Sequence, residues 1–187
     1  YARQKRNQHT APAVAQNSDL RSLFLSSLPF KLTNAQQRVN DEISSDLQKK
    51  KPMLRLVQGD VGSGKTVVAA LAAVQMIAQG YQVAFMAPTD LLSEQHTNNL
   101  VGWLAPLGIC VLRLSGKMKA STRKTALSAL ADNRCQLIVG THALFQEEVL
   151  FAHLGLVIID EQHRFGVEQR LLLQQKGQKD QQIPHQL

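Results

Sequence analysis

The segment Gly59-Asp60-Val61-Gly62-Ser63-Gly64-Lys65-Thr66 constrains this chain more than any other part of it. It follows a strand-length apolar run, Met53 to Val57, and opens onto Val67 to Val74, the longest uninterrupted apolar run in the sequence. Glycines at 59, 62 and 64 let the backbone curl, so that successive N–H groups and the start of a following helix point at one anion. Lys65 adds a point charge and Thr66 a hydroxyl suited to a divalent cation. The predicted unit is strand, loop, helix, with a phosphate in the loop. Gly59, Gly62, Ser63, Gly64, Lys65 and Thr66 are its candidate binding residues, and Thr66 also a metal ligand.

The remaining sequence keeps the same alternation. Strand-length runs rich in Val, Ile and Leu occur at Met53 to Val57, Gln82 to Ala87, Ile109 to Leu114, Gln136 to Val139 and Leu154 to Asp160. Enrichment of this kind marks buried strands. Helical stretches are predicted between them near 65–79, 90–104, 119–131 and 141–150, with a last one near 164–176. An earlier helix is predicted from Thr33, an N-cap residue, because Ala35, Val39, Ile43 and Leu47 recur at four-residue steps. Near-continuous apolar strands separated by long crossovers imply a parallel sheet covered on both faces, a three-layer α/β/α fold. Right-handed crossovers then place every loop that follows a strand along one edge, where ligands of such sheets bind.

At the end of the last predicted strand, Leu156-Val157-Ile158-Ile159 runs into Asp160 and Glu161. Two carboxylates after a strand could serve only as a helix N-cap. Combined with the glycine loop they describe hydrolysis of a nucleoside triphosphate, with Mg²⁺ held beside the phosphates by Asp160 and the attacking water oriented and deprotonated by Glu161. Lys65, Asp160 and Glu161 are therefore the catalytic candidates, and ATP with Mg²⁺ the implied cofactors.

Charge narrows the partners. The chain of 187 residues carries 21 Lys plus Arg against 14 Asp plus Glu, a net +7, and the excess is confined to two blocks. Residues 1–55 hold ten basic and four acidic side chains; residues 113–134 hold six and one, namely Arg113, Lys117, Lys119, Arg123, Lys124 and Arg134 against Asp132. A basic face at a strand end, loop and helix start suits a phosphate backbone, and a solvated lysine-rich helix has the same composition. Aromatic residues make up 5%, too few for a base-stacking platform. No apolar run approaches the 18 or so residues of a membrane-spanning helix, and the polar, basic opening does not read as a secretory signal. Cys110 and Cys135 each lie in an apolar run, which fits reduced core thiols in a cytoplasmic protein.

The motifs together resemble the superfamily 2 helicases and translocases. Asp160-Glu161-Gln162-His163 is a D-E-x-H box; Thr33-Asn34-Ala35-Gln36 lies where those enzymes read adenine; Ala87-Pro88-Thr89 with Leu91, Glu94, Gln95 and His96, and Val139-Gly140-Thr141-His142-Ala143-Leu144, are similar to their strand-end motifs. The run from Val57 to Thr66 combined with Ile159-Asp160-Glu161-Gln162-His163-Arg164-Phe165-Gly166-Val167 is most similar to the RecG-type helicases, which remodel stalled forks and Holliday junctions. Translocase lobes of transcription-repair coupling factors and PriA-type helicases are the nearest alternatives, followed by an NTP-binding module that is not a motor.

The resemblance implies more than the spacing does. Residues 28–187 would be the first RecA-like lobe of a P-loop motor, incomplete at its C-terminus, and residues 1–27 a linker or helical remnant of a preceding domain with little core before residue 20. Gln36 would contact adenine with Phe30 nearby, and His163 would report the nucleotide state. Pro88, Thr89, Ser115, Gly116, Thr141 and His142 would touch the DNA backbone, holding a strand without reading its bases. Trp103 would pack in the core. Branched DNA, a second RecA-like lobe that supplies arginines, and a wedge domain would be the partners. The chain alone would bind nucleotide weakly and turn it over slowly.

Overall fold

A computed structural model of the chain describes residues 10–16, 18–60, 62–161, 172, 175–176 and 182–187. In chain order the elements are α1 (Asp19–Ser27), α2 (Asn34–Leu47), α3 (Lys65–Ile77), β1 (Gln82–Met86), α4 (Asp90–Leu104), β2 (Val111–Leu114), α5 (Ala120–Ala131), β3 (Leu137–Gly140), β4 (Leu154–Ile159) and β5 (His185–Gln186). The strands form one sheet in the order β2-β3-β1-β4-β5, and every pair is parallel. The three-layer α/β/α arrangement expected from the alternation is the one observed.

Strand periodicity sorts the two faces. Val83 and Phe85 of β1 point with Leu137, Val139, Leu156 and Ile158 toward the side covered by α3 and α4. Ala84 and Met86 point with Ile138, Leu114 and Val157 to the other side, toward Leu130 of α5 and Leu144. Helix α3 is buried at every position from Val67 to Met76, because the sheet lies beneath it while α1 and α2 pack over its outer side. A helix apolar all round requires that double cover. Its one buried polar residue, Gln75, accepts from the Ser44 hydroxyl of α2 (2.7 Å) and donates to the Val14 carbonyl (3.3 Å).

Two features differ from the sequence expectation. The run 53–57 is not a ladder strand: it makes one parallel bridge, Leu54 to Gln186, and Leu54 and Leu56 stay exposed. Its neighbour β5 is only two residues long, so there is little to pair with. The helix expected over 141–150 shrinks to a 3₁₀ turn, His142–Phe145. Thr141 has no helix-capping conformation or side-chain cap, and full burial of Val149 in the α5-side core draws the chain out of helical geometry. The expected last helix near 164–176 lies largely outside the described residues. Among those described, no helix is long and apolar enough to cross a membrane.

Residues before Thr33 contribute more core than their composition suggests. Ser18 caps α1 by accepting from the Arg21 N–H (3.1 Å), and Phe24 is completely buried. Ala11 and Val14, at a point where little core was expected, are buried as well. Their N–H groups donate to the carbonyls of Lys50, just beyond α2, and Leu47, its last residue (2.9 Å each). Both cysteines are free thiols. Burial, with Cys110 adjacent, pushes the Cys135 thiol up to about 12, which leaves it protonated and inert as a nucleophile.

His185 of β5 joins three segments from a fully buried position. Its Nδ1 accepts from the Met53 N–H (3.0 Å) and its Nε2 donates to the Pro12 carbonyl (2.7 Å), so these partners require the neutral ring protonated on Nε2. Burial holds its pKa below the usual histidine value, against the Pro12 bond and the charge of Asp46, which act the other way. A depressed histidine pKa means that the unfolded chain binds the proton more readily, so stability is present above about pH 6.5 and is lost as pH falls below it. Thermal midpoints recorded from pH 7.5 to 5 should fall through this window, and a His185→Leu variant, already weaker at pH 7.5, should show a smaller fall.

Candidate functional site

Parallel pairing sends the carboxyl ends of β1 to β4 to one edge of the sheet. Residues 88–89, 115–116, 141–142 and 160–161 follow those ends directly. The run 53–57 lies parallel to β5 through its bridge, and β5 is parallel to β4, so the glycine loop opens on the same edge.

Within the loop, Gly62 and Gly64 have φ of +81° and +80°, a left-handed conformation that is costly for any residue with a Cβ. Val61 lies outside the described residues. Gly64 is the N-cap of α3 and has no side chain to occupy the first N–H groups of that helix, which leaves them for an anion. Lys65 Nζ folds back into the curl, donating to the carbonyls of Gly59 (2.6 Å) and Asp60 (2.9 Å). A cation is thus held where a phosphate would meet the helix dipole. Thr66 is half-buried in the first turn of α3.

Gln36 braces the loop from outside. Thr33 and Gln36 form a reciprocal capping box at the start of α2: the Gln36 N–H donates to Thr33 Oγ1 (3.2 Å) and Gln36 Oε1 accepts from the Thr33 N–H (2.9 Å). The remaining amide group, Nε2, donates to the Ser63 carbonyl (2.9 Å). A Cβ added at Gly64 would collide with that same nitrogen. Phe30 pairs edge to face with Trp103 (ring centroids 6.2 Å apart), and Trp103 packs at the margin of the core.

Asp160 sits one residue past β4, its N–H donating to the Met86 carbonyl (2.9 Å). Its Oδ2 accepts from His96 Nε2 (2.8 Å). That hydrogen bond is the largest influence on the carboxyl and holds it below the usual carboxylate range. Partial burial opposes it; the charge of His96, the Glu161 N–H and the charge of Lys65 assist. Asp160 and the Lys65 of the glycine loop therefore act on each other electrostatically. Glu161, exposed, turns the chain sharply with φ of +50°. Gln162 and His163 lie outside the described residues. No group of three or more metal-type side chains gathers among the described residues.

The other strand-end residues divide by what occupies their polar groups. Thr89 caps α4, its Oγ1 accepting from the Leu92 N–H (3.2 Å), and remains exposed. Pro88 beside it is half-buried, as is Thr141. The Ser115 hydroxyl is buried and donates to Asp90 Oδ1 (3.1 Å), so it fixes its loop instead of facing outward. Gly116 and His142 are exposed, the latter with its ring toward Phe145 (6.0 Å). In the basic block, Arg113 lies against Asp90 (3.8 Å) and Glu94 (3.4 Å), Arg123 donates from Nε to Glu148 (2.8 Å), and Arg134 pairs with Asp132 (2.9 Å). Lys117, Lys119 and Lys124 are exposed beside them. An open groove along α2, where Arg55 bridges Glu42 (2.7 Å) and Asp46 (2.6 Å), is a surface ion-pair network and is built from none of these residues.

Comparison with known proteins agrees with this geometry. A DEAD/DEAH box helicase family model matches residues 33–183. The chain is 57% identical over 180 residues to the ATP-dependent DNA helicase RecG of Haemophilus influenzae, and 59% identical over 179 residues to that of Escherichia coli; each alignment covers 96% of this chain and 26% of the relative. The chain thus spans about a quarter of the length of these curated relatives. Among solved structures, RecG bound to a three-way DNA junction superposes with a TM-score of 0.87 at 42% identity, over 100% of this chain and 24% of that one. The yeast DEAD-box splicing factor Prp28 shares the fold, with a TM-score of 0.69 at 16% identity over 91% of this chain and 43% of that one. The resemblance to RecG-type helicases read from the motifs is borne out.

The loop geometry predicts unequal costs for two glycine substitutions. Nothing lies within 4 Å of a Cβ at Gly62, so Gly62→Ala should cost only left-handed strain, about 1–2 kcal/mol. Gly64→Ala should cost that strain and also the Gln36 bond to Ser63, about 1 kcal/mol more. Denaturant unfolding of the two variants side by side gives the difference.

Proposed function

Because the chain belongs to the DEAD/DEAH box helicase family, we propose that it is the ATP-binding RecA-like lobe of a cytoplasmic motor that hydrolyses ATP to remodel branched DNA in recombination and repair. The observation that carries this reading is that the glycine loop, before the uncapped start of α3, opens on the sheet edge where β4 ends in Asp160 and Glu161, with Lys65 acting on the Asp160 carboxyl through its charge. RecG on a three-way junction supports branched DNA as the partner.

The residues fit Mg²⁺ and ATP. The first N–H groups of α3 have no side-chain cap, and Lys65 is bonded only to loop carbonyls that phosphate oxygens can replace. Gly59, Gly62, Ser63, Gly64 and Lys65 would cradle the β- and γ-phosphates, with Lys65 as a point charge. Two oxygen donors, the Thr66 hydroxyl and the Asp160 carboxylate, suit Mg²⁺, which takes few protein ligands and completes its shell with phosphate and water. The metal, when bound, supplies charge neutralisation at the phosphoryl group. Glu161 would accept the proton of the attacking water, and its exposed position leaves room for that water. Gln36 would give up its bonds within the capping box and to Ser63 in exchange for the adenine edge, and His163 would relay the nucleotide state to the adjoining lobe.

Pro88, Thr89, Gly116, Thr141 and His142 would lie along the strand backbone, with Ser115 holding its loop through Asp90. Exposed Lys117, Lys119 and Lys124 extend that track, whereas Arg113, Arg123 and Arg134 are engaged by carboxylates. A second RecA-like lobe closing on the edge, and a wedge domain that splits the junction, would complete the motor.

ATPase assays of the intact protein with fork, duplex and single-stranded DNA side by side should show the strongest stimulation by the fork. Turnover indifferent to DNA would favour an NTP-binding module that is not a motor. Lys65→Ala should reduce turnover by on the order of 100-fold or more while leaving fork binding intact. Neutralising Lys117, Lys119 and Lys124 together should lower the salt slope of fork binding by about 2–3; the same change at Arg123, already paired with Glu148, should leave it nearly unaltered.

A further inference from the structure

Helix α4 touches the ends of three strands. Its cap, Thr89, follows β1. In its first turn Asp90 accepts from the Ser115 hydroxyl after β2 (3.1 Å), and Arg113 of β2 donates to the Asp90 carbonyl (3.0 Å) while facing Glu94 (3.4 Å). One turn further along, His96 reaches Asp160 after β4 (2.8 Å). One helix therefore bears on the proposed DNA track at its start and on Asp160 six residues later.

The chemistry of His96 argues against a packing role. Its ring lies on Phe85 of β1 (centroids 4.7 Å apart, tilted 42°), a place that an aromatic or aliphatic side chain could fill. Its Nδ1 is buried and has no hydrogen-bond partner among the described residues. A histidine kept for packing would leave that nitrogen stranded for nothing. The polar contact its ring does make is the one to Asp160, whose ionised carboxylate only accepts and so requires a proton on Nε2.

We infer that His96 is a positioning residue that couples Asp160 to the DNA-facing edge, holding the carboxylate through Nε2–H and connecting it through α4 to Thr89, Asp90 and Ser115. Displacement of the α4 start by a strand backbone changes how Asp160 is presented to the nucleotide site, and recruitment of Asp160 at that site loosens α4 in return, since coupling between two sites is reciprocal. The inference rests on the ATP-motor reading above and adds to it a residue that links its two sites.

The test compares intact wild-type protein with His96→Phe and His96→Gln. Phe keeps the ring contact with Phe85 and loses the donor; Gln can place an N–H near the position of Nε2. The readout is the Mg²⁺ concentration that gives half-maximal binding of a fluorescent, non-hydrolysable ATP analogue, with and without fork DNA, with thermal midpoints recorded alongside. In the wild type, fork DNA should shift the Mg²⁺ midpoint by about fivefold or more. His96→Phe should retain its thermal midpoint and lose most of that shift, and His96→Gln should recover it. A full shift in His96→Phe, no recovery in His96→Gln, or no shift in a wild type that binds the analogue would overturn the inference alone. Wild type without Mg²⁺-dependent binding would overturn the motor reading with it.

Discussion

Met86 and Ile159 are the last paired residues of β1 and β4, and the Asp160 N–H carries the ladder one step further onto the Met86 carbonyl. Asp160 is therefore placed by backbone hydrogen bonding before its side chain makes any contact. The position of a carboxylate fixed this way does not depend on a flexible loop. The parallel direction of the two strands does the rest: it brings the residues after β1 to the same edge, so that a helix starting there can reach Asp160 within two turns. An antiparallel pairing would have put those two ends on opposite edges.

The glycine loop has a different kind of support. Its preceding segment has one bridge to the sheet, through the two-residue β5, so its position depends on packing and on polar staples. Helix α3 behind it is anchored by burial of every residue from Val67 to Met76, and each Val, Leu or Met in that run contributes about 1.5–3 kcal/mol relative to exposure. His185 ties Met53 to the residues around Pro12, and Gln75 ties α3 to Val14 and Ser44. The segment ahead of α2 is thus part of what holds the loop, although it is distant from it in sequence.

Legibility in the sequence followed the range of the interactions. Motif residues whose chemistry depends on local backbone, Gly62, Gly64, Lys65 and the N-cap Thr33, could be read directly, because their partners lie within a few residues. Parallel strands were legible from continuous apolar runs, as both faces of each strand are buried. The exceptions were set by distant partners. Met53 to Val57 has strand composition, yet pairing is decided by β5, whose two residues carry no periodicity of their own. The stretch 141–150 lacks helix breakers, and the burial of Val149 overrides its propensity. Phe24 was hidden because a nine-residue helix with a single buried apolar side chain makes too short a pattern. His96 was legible only as part of the motif that follows β1: its partner is 64 residues away, so nothing local pointed to the contact with Asp160.

Charge shows the same limit in another form. Counting residues, the block from Arg113 to Arg134 is the most basic stretch outside the N-terminal segment, but the fold spends its arginines on carboxylates. Arg113 fastens β2 to α4 through Asp90 and Glu94, and Arg123 holds the segment after the 3₁₀ turn through Glu148. The planar guanidinium, with several donors in fixed directions, suits such fixed contacts between elements, whereas a lysine ammonium is a strongly hydrated point charge on a flexible stem. Lys117, Lys119 and Lys124 remain exposed. The two cation types therefore divide the work: arginines set the shape of the edge and lysines supply its field. A surface that holds a phosphate backbone without reading sequence needs both, because a mobile field steers a polyanion only toward an edge whose loops are already fixed.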